Sequence, residues 1–288
     1  MKRSVRVWVT VITVAILTVL WMTPRRTSLA LWAGLQDVPA PDKDEMQVHF
    51  LSVGNADAIL LRTAATAILI DAGENDDENT VVGYLRRQGI EQLDLVVASH
   101  ADTDHIGGMD AVIDAFPVDA VWLAFDSRAG TDAASLFASL QKRKIDPVTP
   151  ILWDTYTIGD VTVQILGPMP SAETSNDRSL MVRVTFGNVS CLFTGDASTE
   201  VEQWLIQSGQ VLDADLIKAG HHGSATSCSE AFLQAVDPSI AVISCGRNND
   251  HGHPESAVLK RLLARDITVY RTDHDGTVVL TTDGDAIW

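Results

Sequence analysis

The chain has 288 residues, 46% apolar and 20% charged, which supports one sizeable hydrophobic core and excludes an intrinsically disordered polymer. Net charge is −17, and from Met46 onward 34 acidic residues stand against 15 basic ones, a surface that repels polyanions at long range and welcomes cations. The three cysteines, Cys191, Cys228 and Cys245, show no C-x-x-C spacing, which argues against a thiolate zinc site.

Along the chain, Lys2, Arg3 and Arg6 precede an almost wholly apolar stretch that runs to Met22. Residues 1–24 read either as a cleaved signal peptide or as an uncleaved membrane anchor with Trp8 and Trp21 at its two interfaces. Both readings put the remainder outside the cytoplasm. Residues 25–45, with Pro39 and Pro41, read as a linker, and residues 46–288 as the folded domain.

Within that domain, period-2 and short apolar runs predict strands at 46–52, 57–62 and 67–71, and a helix at 81–88 closed by Gly89. Residues 93–98 are continuously apolar, as in a strand buried on both faces. A helix at 106–115, a strand at 120–123 and a helix at 133–144 follow. The second half predicts strands at 161–166, 180–186 and 189–194, the last two joined by Gly187-Asn188 as a tight hairpin. It continues with a helix at 200–207, a strand at 215–219, a helix at 230–235 and a strand at 240–244. A helix at 254–263 opens on Pro254, and strands at 267–270 and 277–280 close the chain. Strands alternating with helices, with hairpins mixed in, predict an α/β fold of two mixed sheets face to face with helices outside.

The segment Ser99-His100-Ala101-Asp102-Thr103-Asp104-His105-Ile106-Gly107-Gly108 carries the chemistry. Four metal-competent side chains fall within six residues, immediately after the buried strand and at the opening of a helix. A loop there lies at the carboxyl edge of the sheet, where open α/β folds place their sites. Gly107-Gly108 lets the helix start pack closely.

This segment resembles the metal-binding signature of the metallo-β-lactamase superfamily, with Asp102 where most members carry a second histidine. Five further motifs accompany it: Val48-His49-Phe50-Leu51-Ser52-Val53-Gly54, Ile70-Asp71-Ala72-Gly73, Thr194-Gly195-Asp196, Lys218-Ala219-Gly220-His221-His222-Gly223-Ser224 and Gly252-His253-Pro254. Together they resemble the hydrolase domain of ComEC-type competence proteins, from about Met46 to Leu280. Ser52 and Asn55-Ala56 depart from that family's Asp and Gln-Gly. The resemblance implies a four-layer αββα sandwich and two divalent ions, Zn2+ or Mn2+. It implies that His100 and Asp102 hold one ion, that Asp104 and His105 hold the other, and that Asp196 bridges them. One of His221 and His222 completes the second site; His222 is favoured, because a His-x-Ser after a strand matches related members, and His221 then faces substrate. Asp71 is expected behind the ligands, accepting a hydrogen bond that fixes an imidazole. Many members supply a further histidine before the bridging aspartate, but none lies between His105 and His221 here. Asn176, Asp177, Ser179 or water stands in its place, and the oxygen-rich set keeps Mn2+ open beside Zn2+.

Two such ions lower the pKa of water and polarise a scissile phosphoryl or carbonyl oxygen. Asp104, His221, His253 and Lys218 are the catalytic candidates; Lys218, Ser224 and His253 are placed to hold a phosphate or protonate a leaving group. Lys218 also reads as a structural ion-pair partner, and His253 as a helix-entry residue. The expected function is an extracytoplasmic phosphodiesterase, nuclease-like by resemblance, although the acidic domain suits a phosphodiester smaller than DNA. A lactonase or β-lactamase type of C–O or C–N hydrolysis and a non-catalytic metal-containing surface module are the alternatives. The membrane is a partner if the N-terminal segment is retained, and no protein partner is expected.

Overall fold

The computed structural model describes residues 38–288, so the targeting-segment reading of residues 1–24 and most of the linker reading lie outside the described residues. The first half of the domain runs β1 (Met46–Phe50), β2 (Ala58–Arg62), β3 (Ala67–Ala72), α1 (Glu78–Arg87), β4 (Leu95–Val97), α2 (Thr103–Ile106), α3 (Met109–Ala115), β5 (Val121–Trp122) and α4 (Thr131–Arg143). The second half runs β6 (Thr155–Ile158), β7 (Val161–Ile165), β8 (Val182–Phe186), β9 (Val189–Phe193), α5 (Thr199–Ser208), β10 (Leu216–Lys218), α6 (Glu230–Val236), β11 (Ile240–Ile243), α7 (Ser256–Leu263), β12 (Thr268–Arg271), α8 (Thr272–Asp275) and β13 (Val278–Thr282).

The strands form a six-stranded sheet, ordered β13-β1-β2-β3-β4-β5, and a seven-stranded sheet, ordered β12-β11-β10-β9-β8-β7-β6. In the first, β1, β2, β3 and β13 pair antiparallel while β3, β4 and β5 run parallel. In the second, β9 to β12 run parallel and β6 to β9 antiparallel. Strand alternation sorts the side chains into layers. Val48, Phe50, Ile59 and Leu61 meet Val163, Val184, Phe193 and Val242 between the sheets. Leu60, Leu69 and Val96 face the other way, onto Leu85 of α1, Val112 of α3 and Leu136 of α4. On the far side, Leu192, Ile217 and Ala241 pack beneath Leu205 of α5, Phe232 of α6 and Leu262 of α7. The four-layer αββα order follows from these three apolar contacts.

Three differences from the sequence reading have physical causes. The helix expected at 106–115 is two short helices, α2 and α3, because the chain turns at Gly107-Gly108. A Cβ on Gly107 would lie 2.5 Å from the Asn75 backbone nitrogen, and one on Gly108 closer still to the Ala72 carbonyl. The two glycines thus let α2 press onto the chain leaving β3. Strand β6 was not expected; it is an edge strand whose Thr155 and Thr157 are exposed, so it carries no apolar run. Residues 38–41, at the end of the expected linker, are docked. Arg62 is buried and donates to Pro39 O at 2.9 Å, Gln88 O at 2.6 Å and Gln47 Oε1 at 3.0 Å. The same cluster holds His49, whose Nδ1 lies 2.7 Å from the Tyr84 hydroxyl of α1. Burial pushes the His49 pKa down to about 3, with Arg62 adding to the shift, so this ring is a neutral packing element.

Candidate active site

Every side chain of the cluster leaves the carboxyl end of a parallel strand or the loop that follows it. Asp71 lies near the end of β3, and Ser99, His100, Asp102, Asp104 and His105 follow β4. Asp196 follows β9, and His221 and His222 follow β10. Three of these hold backbone conformations that non-glycine residues rarely adopt: φ is 57° at Asp71, 48° at His221 and 52° at His222. Each costs of order 1–3 kcal/mol and persists only because surrounding structure imposes it, a pattern concentrated at functional sites.

The histidine rings are locked from behind. Asp71 accepts from Ser99 N at 2.8 Å, Ser99 Oγ at 2.6 Å and His105 Nδ1 at 2.8 Å. Ser99 Oγ in turn sits 3.1 Å from His100 Nδ1. His222 Nδ1 donates to Ser244 O at 3.0 Å. With the Nδ1 atoms so engaged, the Nε2 atoms of His100, His105 and His222 are the ones turned toward the carboxylates, and they would be the ligating atoms once a cation displaces their protons. The Nε2 atoms of His100 and His105 are buried and make no hydrogen bond.

Carboxylates gather around these nitrogens. His100 Nε2 is 3.6 Å from Asp102 Oδ2. His105 Nε2 is 3.4 Å from Asp196 Oδ1 and 3.9 Å from Asp104 Oδ2. His222 Nε2 is 3.1 Å from Asp104 Oδ2 and 3.5 Å from Asp196 Oδ2. Burial resists ionisation of Asp104, but the hydrogen bond from His222 and the neighbouring imidazoles pull its pKa down to about 2. Burial likewise resists at Asp196, and His222, His105 and Lys218 overcome it, holding the group well below the usual carboxylate range. The same field, led by Asp196 and Asp71, raises the His105 pKa well above its ordinary value against the penalty of burial. A site that draws positive charge this strongly, and presents orphaned imidazole nitrogens beside ionised carboxylates, fits divalent cations. His100 with Asp102, and Asp104, Asp196, His105 and His222, are the side chains that would hold them.

Asp57, not singled out in the sequence, joins this cluster from the other side. Asp57, His105, Asp196 and His222 offer ligand atoms within 4.8 Å of one another. Asp57 is buried, ion-paired with Lys218, and approaches His105 and His222 at their Nδ1 edges, 3.7 and 3.9 Å away. It therefore lies beneath the ligand nitrogens, and Asp104 lies above them. The readable signal was an acid at the threshold of an otherwise apolar strand, Asp57 before Ala58–Arg62.

Two assignments change, the catalytic one of Lys218 and the phosphate-holding one of Ser224. Lys218, expected among the catalytic groups, is 1% exposed; its Nζ meets Asp57, Asp196 Oδ1 at 3.5 Å and Gly195 O at 3.3 Å. It balances buried carboxylates and does not reach substrate. Ser224 is also buried, its Oγ turned to Thr226 Oγ1 at 3.0 Å rather than into the cleft. Ser179 braces Asp196: its Oγ accepts from Asp196 N at 3.1 Å and donates to Asn176 O at 2.6 Å. Asp177 is used elsewhere, accepting from Ser198 N at 3.1 Å.

Above the cluster lies a cavity of about 370 Å³. It is lined by Asp102, Asp104, Asp196 and His222 together with Asn176, His221, His251 and His253, and His221 Nε2 lies 3.7 Å from Asp196 Oδ2. The His221 and His253 rings are 5.6 Å apart, and those of His251 and His253 are 5.5 Å apart. Burial lowers the pKa of both His221 and His253, so both rings are neutral at pH 7. His251 and Glu74 also line the cavity and were missed in the sequence, each lying one residue outside a motif read there.

A model of the metallo-β-lactamase superfamily matches residues 51–247. Among curated proteins, the chain is 33% identical over 204 residues to ComE operon protein 3 of Bacillus subtilis, covering 70% of this chain and 26% of that protein. It is 31% identical over 269 residues to competence protein ComA of Neisseria gonorrhoeae, covering 90% of this chain and 36% of that one. The chain thus spans about a quarter to a third of these relatives. Among solved structures, the metallo-β-lactamase fold protein YhfI of Bacillus subtilis superposes with a TM-score of 0.54 at 16% identity, over 83% of this chain and 100% of that one.

Proposed function

The chain belongs to the metallo-β-lactamase superfamily of metal-dependent hydrolases, and from that premise we propose that it is an extracytoplasmic phosphodiesterase. The observation that carries the reading is one cavity lined both by carboxylates held ionised and by histidines held neutral, with His221 Nε2 3.7 Å from Asp196 Oδ2. When bound, a pair of divalent cations lowers the pKa of water toward neutrality and polarises a phosphoryl oxygen. Everything else falls to the protein. Asp104 and Asp196 are ionised at any pH of interest and accept hydrogen bonds that orient an attacking water. His221 and His253, neutral, donate N–H groups to phosphoryl oxygens without burying a further charge, and His253 Nδ1 is buried and unpartnered. The acidic domain weakens attraction to long polyanions, which favours a small phosphodiester over duplex DNA.

The location rests on the basic-then-apolar run of residues 1–24; among the described residues no helix is long and apolar enough to cross a membrane. The test of the activity is turnover of bis-p-nitrophenyl phosphate and of nitrocefin by the full chain loaded with Zn2+ or Mn2+. Phosphodiester hydrolysis that is lost in Asp104→Ala and in Asp196→Ala is expected. Turnover of nitrocefin alone, or full activity in either variant, would overturn the reading.

A further inference from the structure

A second cavity, of about 170 Å³, is lined on one side by His100. A void of roughly this size, about 150 Å³, accepts a single benzene ring. Ala101, Ala124 and Ala129 make its walls, and three such small side chains are what keeps the space open. Phe125 supplies an aromatic surface, half-buried and set edge-on to Phe137 of α4, with ring centroids 6.5 Å apart and planes at 67°. Arg178 stands at the rim. Its Nε donates to Ala172 O at 3.1 Å, and among the described residues it forms no ion pair, in a domain where acids outnumber bases by more than two to one.

The partition from the catalytic cavity is thin. Ser175 lines the second cavity, and its neighbour in the chain, Asn176, lines the first together with Asp102. Consecutive residues, Ser175 and Asn176, thus separate the two cavities, which places the second within reach of an arm of a substrate whose ester lies at the cluster.

We propose that this second cavity is a ring-binding subsite, taking the planar aromatic base of a nucleoside arm of the phosphodiester, with Phe125 stacking on the ring and Arg178 donating to its acceptor atoms. The assignment rests on the phosphodiesterase reading above. It explains how an acidic protein selects a substrate without a basic surface: recognition comes from stacking and a few donors rather than from long-range charge.

The test uses two substrates with the same leaving group, the p-nitrophenyl ester of thymidine 5′-monophosphate and methyl p-nitrophenyl phosphate, with the full chain loaded with Mn2+. The wild type is expected to prefer the nucleoside ester about tenfold or more in kcat/KM, the range of one stacked base. Phe125→Ala, Arg178→Ala and the cavity-filling Ala129→Leu should each move that ratio toward one. Equal rates in the wild type, or a preference that survives all three variants, overturn the subsite. If neither ester is hydrolysed, the phosphodiesterase reading fails, and calorimetric titration with thymidine 5′-monophosphate decides the subsite separately. Binding weakened about tenfold in the variants supports it; no binding, or equal binding, overturns it.

Discussion

Asp71 occupies a left-handed backbone position and makes three hydrogen bonds, all to the loop that carries the metal-competent side chains. Its carboxylate sets which nitrogen of His105 bears the proton and, through Ser99, does the same for His100. Partners of this kind change metal affinity by about 10–100-fold when altered. Asp71→Asn is therefore expected to weaken Zn2+ binding by about that factor, read by competition with a chromophoric chelator. Unchanged affinity in a folded variant would show that ring orientation does not depend on Asp71. Residues of this class were legible because they sit in short, dense motifs. Asp57 was not, because its role depends on Lys218, which arrives from 161 residues later and from the other sheet.

At the scale of elements, that pair ties the two sheets together. Asp57 opens β2 of the six-stranded sheet, and Lys218 ends β10 of the seven-stranded one. Both are 1% exposed, and burial of the ammonium is offset by Asp57 and Asp196, which raise the Lys218 pKa. Removing one partner of a buried pair leaves an uncompensated charge and costs about 3–5 kcal/mol. Lys218→Met should lower unfolding free energy by about that much in urea melts, and adding Asp57→Asn should recover part of it. A loss below about 1 kcal/mol would remove Lys218 from its charge-balancing role. Element boundaries followed the apolar periodicity within a few residues wherever a face was buried, as in α1, α4 and β7 to β9. The periodicity was silent at β6, an edge strand whose stability comes from its pairing with β7.

Across the whole molecule, the site joins loops from both sheets, so any ligand bound there links them. A ligand at a hundredfold excess over its Kd stabilises the folded state by about 3 kcal/mol, which in a domain of this size moves Tm by roughly 6–12 °C. Stripping the full chain with a chelator is expected to lower Tm by about that amount, and restoring Zn2+ or Mn2+ to bring it back. A melting curve indifferent to the chelator would contradict a divalent pair at this cluster.

Composition and periodicity alone determined the α/β class and the facing of two mixed sheets, because burying strand faces and helix stripes leaves few layer orders open. The sequence alone also marked His100, Asp102, Asp104 and His105, a compact run of metal-competent side chains, and the family resemblance added Asp196 and the double histidine. Tertiary structure decided which side chains face the cleft. It sent Lys218 and Ser224 beneath it, brought His251 and Glu74 to its rim, and opened the ring-sized cavity beside His100. Such placements depend on how far apart in the chain the meeting loops lie and on the space small side chains leave, and neither is written in any local pattern.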